Sequence, residues 1–195
     1  MVAATRSRCV TMEIITTEIP DVRIIIPAKH FDRRGFFSET YSKRGLAEAG
    51  IELDFVQDNH SFSIQKGVVR GLHYQAPPFA QDKLLWVVRG AIFDVAVDLR
   101  RNSPTFGKHV SVILSAEKWN QILVPKGFAH GFATLEPSTE LVYKVTNYYC
   151  PEYDRGLFWR DPEVGIDWPV APSAAIVSEK DSRLPRLSEL KDLFD

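Results

Sequence analysis

The sequence predicts a mainly β chain, folded as a jelly-roll barrel with a few short helices at its edges. Three observations carry this expectation. Short runs rich in Val, Ile, Phe and Tyr recur through the middle of the chain, each bounded by turn signals. Within the clearest of them, side chains alternate with the period of two that a strand imposes. Helical patterns are confined to two short segments, "SKRGLAEAG" and "LPRLSELKDLF". No linker-like stretch or internal repeat divides the 195 residues. One domain is therefore expected over residues 12–195, after an N-terminal extension of residues 1–11 that stops where Met12 offers a second start.

Taken in order, "DVRIIIPAKHF" opens a strand near Val22 to Ile26. "SKRGLAEAG" gives a short helix that Gly50 stops. "FVQDNHSFSI" reads as a strand. "LLWVVRGAIFDVAVDLR" reads as a hairpin turning at Arg89-Gly90. Its second arm puts Phe93, Val95, Val97 and Leu99 on one face, and Ile92, Asp94, Ala96, Asp98 and Arg100 on the other. "RNSPTFGK" is a loop. "HVSVILS" and "QILVPKGFAHGFATL" supply strands around a Pro-Lys-Gly turn, and "STELVYKVTNYY" supplies another. "DPEVGIDWPVAPS" is loop-like, and "LPRLSELKDLF" predicts a short terminal helix.

Hydrophobic residues make up 45% and charged residues 25%, the balance of an ordinary soluble globular protein. A net charge of −1 gives no bulk attraction to nucleic acid or membrane, yet leaves room for a local basic site holding an anionic small molecule. Two isolated cysteines, Cys9 and Cys150, form neither a disulfide framework nor a zinc pattern, so both are expected as reduced thiols in the cytoplasm. The N-terminus lacks an apolar signal-peptide core, and no stretch has the length of a membrane span.

The chemistry begins at "VVRGLHYQAPPFAQDK" and "PKGFAH". These resemble the two motifs of cupins, which are double-stranded β-helix barrels. The second motif, Pro-x-Gly-x-x-His, is present as Pro125 to His130. In the first, His73 takes the first ligand position, Gln75 stands where a second His belongs, and Lys83 stands where the Glu belongs. Divalent metals favour imidazole and carboxylate donors, and an ammonium opposes a bound dication. The pattern therefore reads as a cupin that has lost its metal. The remaining groups suit proton transfer. A histidine can act as general base near neutral pH, a lysine can stabilise an oxyanion, and a tyrosine can return a proton. Together they describe an enolising site whose net outcome is epimerisation beside a carbonyl.

Longer segments narrow the resemblance. "RRGFFSETY", "FVQDNHSFS", "VVRGLHYQAPPFAQDKL", "VRGAIFDVAVDLRRNSPTFGK", "VPKGFAHGFATL", "YKVTNYYCPEYDRG" and "DPEVGIDWP" are similar to the dTDP-4-dehydrorhamnose 3,5-epimerase family, over roughly residues 12 to 190. The resemblance implies conversion of dTDP-4-dehydro-6-deoxy-D-glucose to dTDP-4-dehydro-L-rhamnose, without metal or redox cofactor, by a homodimer in which an N-terminal strand crosses to the neighbour. It implies His73 as general base, Asp181 as its partner, Tyr143 as general acid, and Lys83 with Arg70 around the C4 oxygen and sugar hydroxyls. Arg34, Glu39, Gln57, Asn59 and His130 match substrate contacts, and Tyr149 matches the aromatic that stacks on thymine. Asp154 stands where many members have Glu.

Each residue also has an ordinary structural use. Lys83 could begin an edge strand, and Asp181 could cap the terminal helix. Asp94 is a second candidate for the carboxylate beside His73. An epimerase acting at C3 or C5 alone, a metal-dependent cupin enzyme and a non-catalytic sugar-nucleotide binder are the competing readings. One geometric condition follows from parity. Arg70 and His73 are three residues apart, so a regular strand sends them to opposite faces. Both can line one cavity only if the strand is irregular between residues 70 and 73, where Gly71 permits a bulge.

Overall fold

The computed structural model describes residues 12–195. The expected extension 1–11 and Cys9 lie outside the described residues.

Two facing sheets form the barrel. The first has the order β1 (Met12–Thr16), β2 (Arg23–Pro27), β10 (Gln121–Val124), β7 (Lys83–Arg89), β12 (Thr139–Val145) and β5 (Gln57–Ser63). The second has the order β13 (Asp154–Gly156), β6 (Val68–Gln75), β11 (Phe128–Thr134), β8 (Ala91–Asp98) and β9 (His109–Ser115). The two-residue strand β14 (Ile176–Val177) runs parallel to the start of β6. A separate exposed hairpin, β3 (His30–Asp32) and β4 (Gly35–Phe37), stands apart from both sheets. Two short helices complete the chain: α1 (Lys43–Glu48), capped by the Ser42 side chain, and α2 (Glu179–Ser182), capped by Ser178.

Apolar burial explains the layering. Ile24, Leu85, Val87, Ile122 and Leu141 from the first sheet meet Ile92, Ala96, Val110, Leu114 and Phe128 from the second. The outer face of the second sheet is covered too. Leu72, Tyr74, Val95, Val97 and Leu99 pack under Leu157, Val164 and Leu187. The two faces assigned to residues 92–100 are thus both buried, one inside the barrel and one beneath the C-terminal segment. This arrangement puts Asp94 and Asp98 in the interior, each fully buried. Asp98 is satisfied by Arg100, Ser103 and Thr105. Burial alone would raise its carboxyl, but these hydrogen bonds hold it below the usual carboxylate range.

Three expectations need correction. The run 84–100 contains two strands, but they do not form a hairpin. β7 pairs β10 and β12, whereas β8 pairs β11 and β9. The Arg89-Gly90 turn carries the chain from one sheet to the other, a corner that alternation alone cannot distinguish from a hairpin. The terminal helix is absent as well. "LPRLSELKDLF" holds only a 3-10 turn, Leu187–Glu189. Its backbone is spent on the chain just past β8 instead: Arg101 N–H donates to the Phe194 carbonyl, and Phe194 N–H to that of Leu99. Leu187, Leu190 and Leu193 are held against the outer face of that sheet. Burial there outweighs what a helix this short would gain. Finally, β3 and β4 were not expected as strands.

The irregularity expected in β6 is present. His130 of β11 lies opposite His73, and Phe132 lies opposite Arg70, so three residue steps on β6 face two on β11. Gly71 occupies the break with φ of +106°, and a Cβ there would sit 2.7 Å from the His130 carbonyl oxygen. Opposite it, a Cβ on Gly131 would sit 2.5 Å from the Arg70 carbonyl oxygen. Gly71→Ala should therefore lower unfolding stability by about 3 kcal/mol. A urea titration monitored by tryptophan fluorescence checks this value.

Candidate active site

The cleft opens inside the barrel, between the two sheets. A cavity of about 580 Å³ is lined by Arg70, His73, Lys83, His130, Tyr143 and Asp181, with Val69, Leu85, Phe132 and Val177 supplying apolar wall. A second lobe of about 330 Å³ shares His73, Lys83, Tyr143 and Lys180 with it and adds Gln57, Asn59, Tyr149 and Asp154. The two lobes adjoin, with His73, Lys83, Tyr143 and Lys180 lining both.

His73 comes from β6 on one wall, and its Nε2 lies 2.8 Å from Asp181 Oδ1. Asp181 reaches it from α2, which follows β14 directly along the outer edge of β6. Its other oxygen accepts the Gly71 N–H at 3.0 Å, and its own N–H donates to Ser178 Oγ. The break in β6 therefore does two jobs. It brings Arg70 and His73 to one face, and it presents a backbone N–H to the carboxylate that orients the imidazole. Burial would raise the Asp181 carboxyl, but the bonds from His73 and Gly71 prevail and hold it below its ordinary value. It is a carboxylate across the working pH range, able to fix the His73 tautomer and to balance an imidazolium.

Asp94, the second candidate for that role, serves the other histidine. Both of its oxygens lie 3.0 Å from His130 Nε2. Each imidazole in the cleft thus has its own carboxylate. Among the described residues, no group of three or more His, Cys, Asp or Glu side chains is placed to hold a metal ion.

Tyr143 and Lys83 come from the opposite wall. In the first sheet Tyr143 of β12 pairs Leu85 of β7, and Val145 pairs Lys83, so all four residues are in register. Tyr143 is half-buried, and burial raises its phenol above the usual value, with Arg70 pulling the other way. It holds its proton near neutrality and can donate it. Lys83 reaches across the barrel until its Nζ lies 3.4 Å from the His73 carbonyl oxygen. Burial pushes its ammonium down to about 8, partly opposed by Asp154 and Asp94. It remains charged at neutral pH.

At the outer lobe, Gln57 Nε2 donates to Asn59 Oδ1 at 2.9 Å, and Gln57 Oε1 accepts the Tyr149 N–H at 3.2 Å. The Tyr149 hydroxyl donates to Asp154 Oδ2 at 3.3 Å. Lys180, which the sequence reading missed, lines both lobes and pairs with Asp154. Its only signal was adjacency to Asp181 in "SEKD".

Two expected residues are not brought to the cleft within one chain. Arg34 lies in the β3–β4 hairpin, bound to Asp32 at 2.6 Å, with 84% of its side chain exposed. Glu39, just beyond that hairpin, lines neither lobe. The hairpin leans on Trp119, which makes an edge contact with Phe36 at 4.9 Å, while Phe31 and Phe37 are 74% and 72% exposed. No helix among the described residues is long and apolar enough to cross a membrane.

Comparison with known proteins identifies the family. The family model for dTDP-4-dehydrorhamnose 3,5-epimerase matches residues 16–189. The dTDP-4-dehydrorhamnose 3,5-epimerase of Escherichia coli K12 is 51% identical over 180 residues, spanning 92% of this chain and 96% of that one. The dTDP-6-deoxy-D-glucose-3,5-epimerase of Legionella pneumophila, solved in complex with dTDP-4-keto-L-rhamnose, superposes with a TM-score of 0.87 at 47% identity, covering 92% of this chain and 95% of that one. A 3'-monoepimerase from Streptomyces bikiniensis, in complex with dTDP-quinovose, superposes at 0.82 with 32% identity, covering 89% and 87%. A jelly-roll barrel carrying a His–Asp pair, a lysine and a tyrosine around one cleft, matched along nearly its whole length, belongs to the dTDP-4-dehydrorhamnose 3,5-epimerase family.

Proposed function

We propose that this chain epimerises dTDP-4-dehydro-6-deoxy-D-glucose at C3 and C5, giving dTDP-4-dehydro-L-rhamnose. The observation that carries the reading is the placement of His73, backed by Asp181, on one wall and of Tyr143 on the other, with Lys83 reaching from the Tyr143 wall to the His73 carbonyl. Both carbons flank the C4 ketone, so one carbonyl acidifies both protons. His73 removes a proton, leaving an enolate whose charge gathers on the C4 oxygen. Lys83 stabilises that oxygen in a site partly closed to water. Tyr143 returns a proton from the opposite face, and the configuration inverts. A turn of the sugar presents the second carbon to the same two groups. Each inversion leaves His73 protonated and Tyr143 deprotonated, and proton exchange with solvent resets both groups before the second carbon reacts.

Arg70, on the cavity wall beside His73, joins Lys83 around the C4 oxygen and sugar hydroxyls, and Lys180, shared by both lobes, provides positive charge for a diphosphate. Tyr149, Asp154, Gln57 and Asn59 form the nucleoside end, with the Tyr149 ring against thymine. Arg34 and Glu39 enter from a second copy of the chain, whose exposed aromatic hairpin closes the site. The functional unit is then a homodimer with two composite sites.

Solvent deuterium exchange followed by NMR tests the core claim. Deuterium should enter the product at C3 and C5. Label at C3 alone would make the chain a monoepimerase, like its Streptomyces bikiniensis neighbour. His73→Asn should slow exchange by about a thousandfold while dTDP still binds, because the base is lost and the pocket is kept. Undiminished exchange would remove His73 from the mechanism.

Lys83 sets an alkaline limit. Its folded value of about 8 lies below the ordinary lysine value, so the stabilising charge is present below that pH and is lost as pH rises through it. The kcat/KM profile of the free enzyme should fall above about pH 8. Tyr143, shifted upward, loses its proton only at higher pH and does not contribute to this limb.

Mixed dimers test the composite site. Arg34→Ala and His73→Ala chains, each inactive alone, should regain roughly a quarter of wild-type activity when co-refolded, since half the dimers then carry one intact site. No recovery would mean that Arg34 does not serve a neighbour's His73.

A further inference from the structure

Gln75 follows His73 by two residues on β6, so both side chains leave the same face of the strand. In the metal-binding pattern this is the second imidazole position. Here the amide is 4% exposed and its hydrogen bonds are all spent on backbone. Its Nε2 donates to the Phe79 carbonyl at 2.7 Å and to the Tyr148 carbonyl at 3.1 Å. Its Oε1 accepts the Cys150 N–H at 2.7 Å. Two donors and one acceptor on one planar head are what a primary amide offers. A carboxylate would turn acceptors toward two carbonyl oxygens, and an imidazole has one fewer hydrogen to give.

The partners matter more than the count. The Tyr148 carbonyl and the Cys150 N–H bracket Tyr149. Residues 146–150 belong to no strand, so their backbone has no ladder to fix it. Tyr149 itself is half-exposed, with its own N–H on Gln57 Oε1. Four side chains hold residues 147–150: Gln57, Asn147 (which accepts the Tyr148 N–H), Gln81 (whose Nε2 donates to the Asn147 carbonyl at 2.8 Å) and Gln75. Among the described residues, only Gln75 ties Tyr148 and Cys150 to the strand that carries His73.

We propose that Gln75 is a positioning residue for the nucleotide: by clamping the backbone on both sides of Tyr149, it fixes the distance between the base-stacking ring and the proton-abstracting imidazole through one rigid strand. The vacated metal position is thereby reused. What would have gripped an ion grips the loop that holds the substrate's far end. This proposal rests on the reading that Tyr149 stacks on thymine.

The test measures dTDP affinity by calorimetry, and KM and kcat on dTDP-4-dehydro-6-deoxy-D-glucose, for Gln75→Met, Gln75→Glu, Tyr149→Ala and the Gln75→Met/Tyr149→Ala pair. Gln75→Met keeps length and volume without hydrogen bonds. It should raise Kd and KM by about tenfold and change kcat by less than about threefold. Gln75→Glu should do the same near neutral pH and recover part of its dTDP affinity in acid, as the protonated carboxyl regains a donor. The double variant should bind dTDP no more weakly than Tyr149→Ala alone, because both changes remove one interaction. Unchanged Kd and KM with a collapsed kcat would overturn the proposal, as would additive losses in the double variant. Unchanged affinity in Tyr149→Ala would remove the stacking reading and the clamp with it. A weakened Tyr149→Ala beside an unweakened Gln75→Met would remove the clamp alone. A wild-type measurement covers variants that do not fold. The Cys150 amide should be protected from hydrogen exchange in the ligand-free enzyme, and free exchange there would overturn the clamp.

Discussion

His73 and Asp181 meet because the β6 ladder is interrupted at Gly71, and most of the site depends on that interruption. A continuous strand would turn either Arg70 or His73 away from the cleft. It would also leave no spare N–H for the carboxylate. The break solves both problems with one residue that lacks a side chain. The opposing Gly131 lets the two backbones come close enough for the ladder to resume on either side. On the outer edge of β6, β14 covers the first residues and β13 the last. Asp181 enters at the gap between them. The His–Asp pair is thus built into the edge of a sheet, and its geometry is as rigid as the sheet.

The two walls divide the chemistry. The second sheet carries His73, His130 and Asp94, and α2 beside its edge brings Asp181, so this wall can take a proton and balance the resulting charge. The first sheet carries Tyr143 and Lys83, which can give a proton and hold an oxyanion. Jelly-roll topology makes this division possible, since each corner such as Arg89-Gly90 moves the chain from one wall to the other. Face-to-face epimerisation needs an acid and a base on opposite sides of a sugar ring, and two facing sheets supply opposite sides at no extra cost.

Electrostatics then sets each group's state. Lys83 sits where burial disfavours its charge, so it is poised near neutrality and gains most when a negative oxygen forms beside it. Asp181 is held ionised by hydrogen bonds that outweigh its burial. Tyr143 keeps its proton. These are opposite outcomes from the same loss of solvent, and the difference lies in which partner each group has.

Much of this was legible in the sequence. The β-rich class follows from alternation, the α1 helix from its short pattern and its Gly50 stop, and the β6 irregularity from parity together with a glycine. The residue types of the cleft are legible too: a histidine with glutamine and lysine where the other metal ligands belong follows from the motif and its substitutions, and the tyrosine comes from "LVYKVTNYY". Other features required long-range contacts. Alternation is a local property, so it identified the strands at 83–98 without revealing that they lie in different sheets. Leucine spacing suggested a helix near the C-terminus, but the sheet's uncovered apolar face captured that segment as extended chain. The choice between Asp181 and Asp94 for His73 was made by strand order, which sends one carboxylate to each histidine across gaps of 108 and 36 residues. The sequence by itself determined which chemical groups the protein possesses and which faces they can share. Tertiary structure alone decided which groups meet, because pairing between distant strands depends on burying both faces of a sheet at once, and no local pattern encodes that.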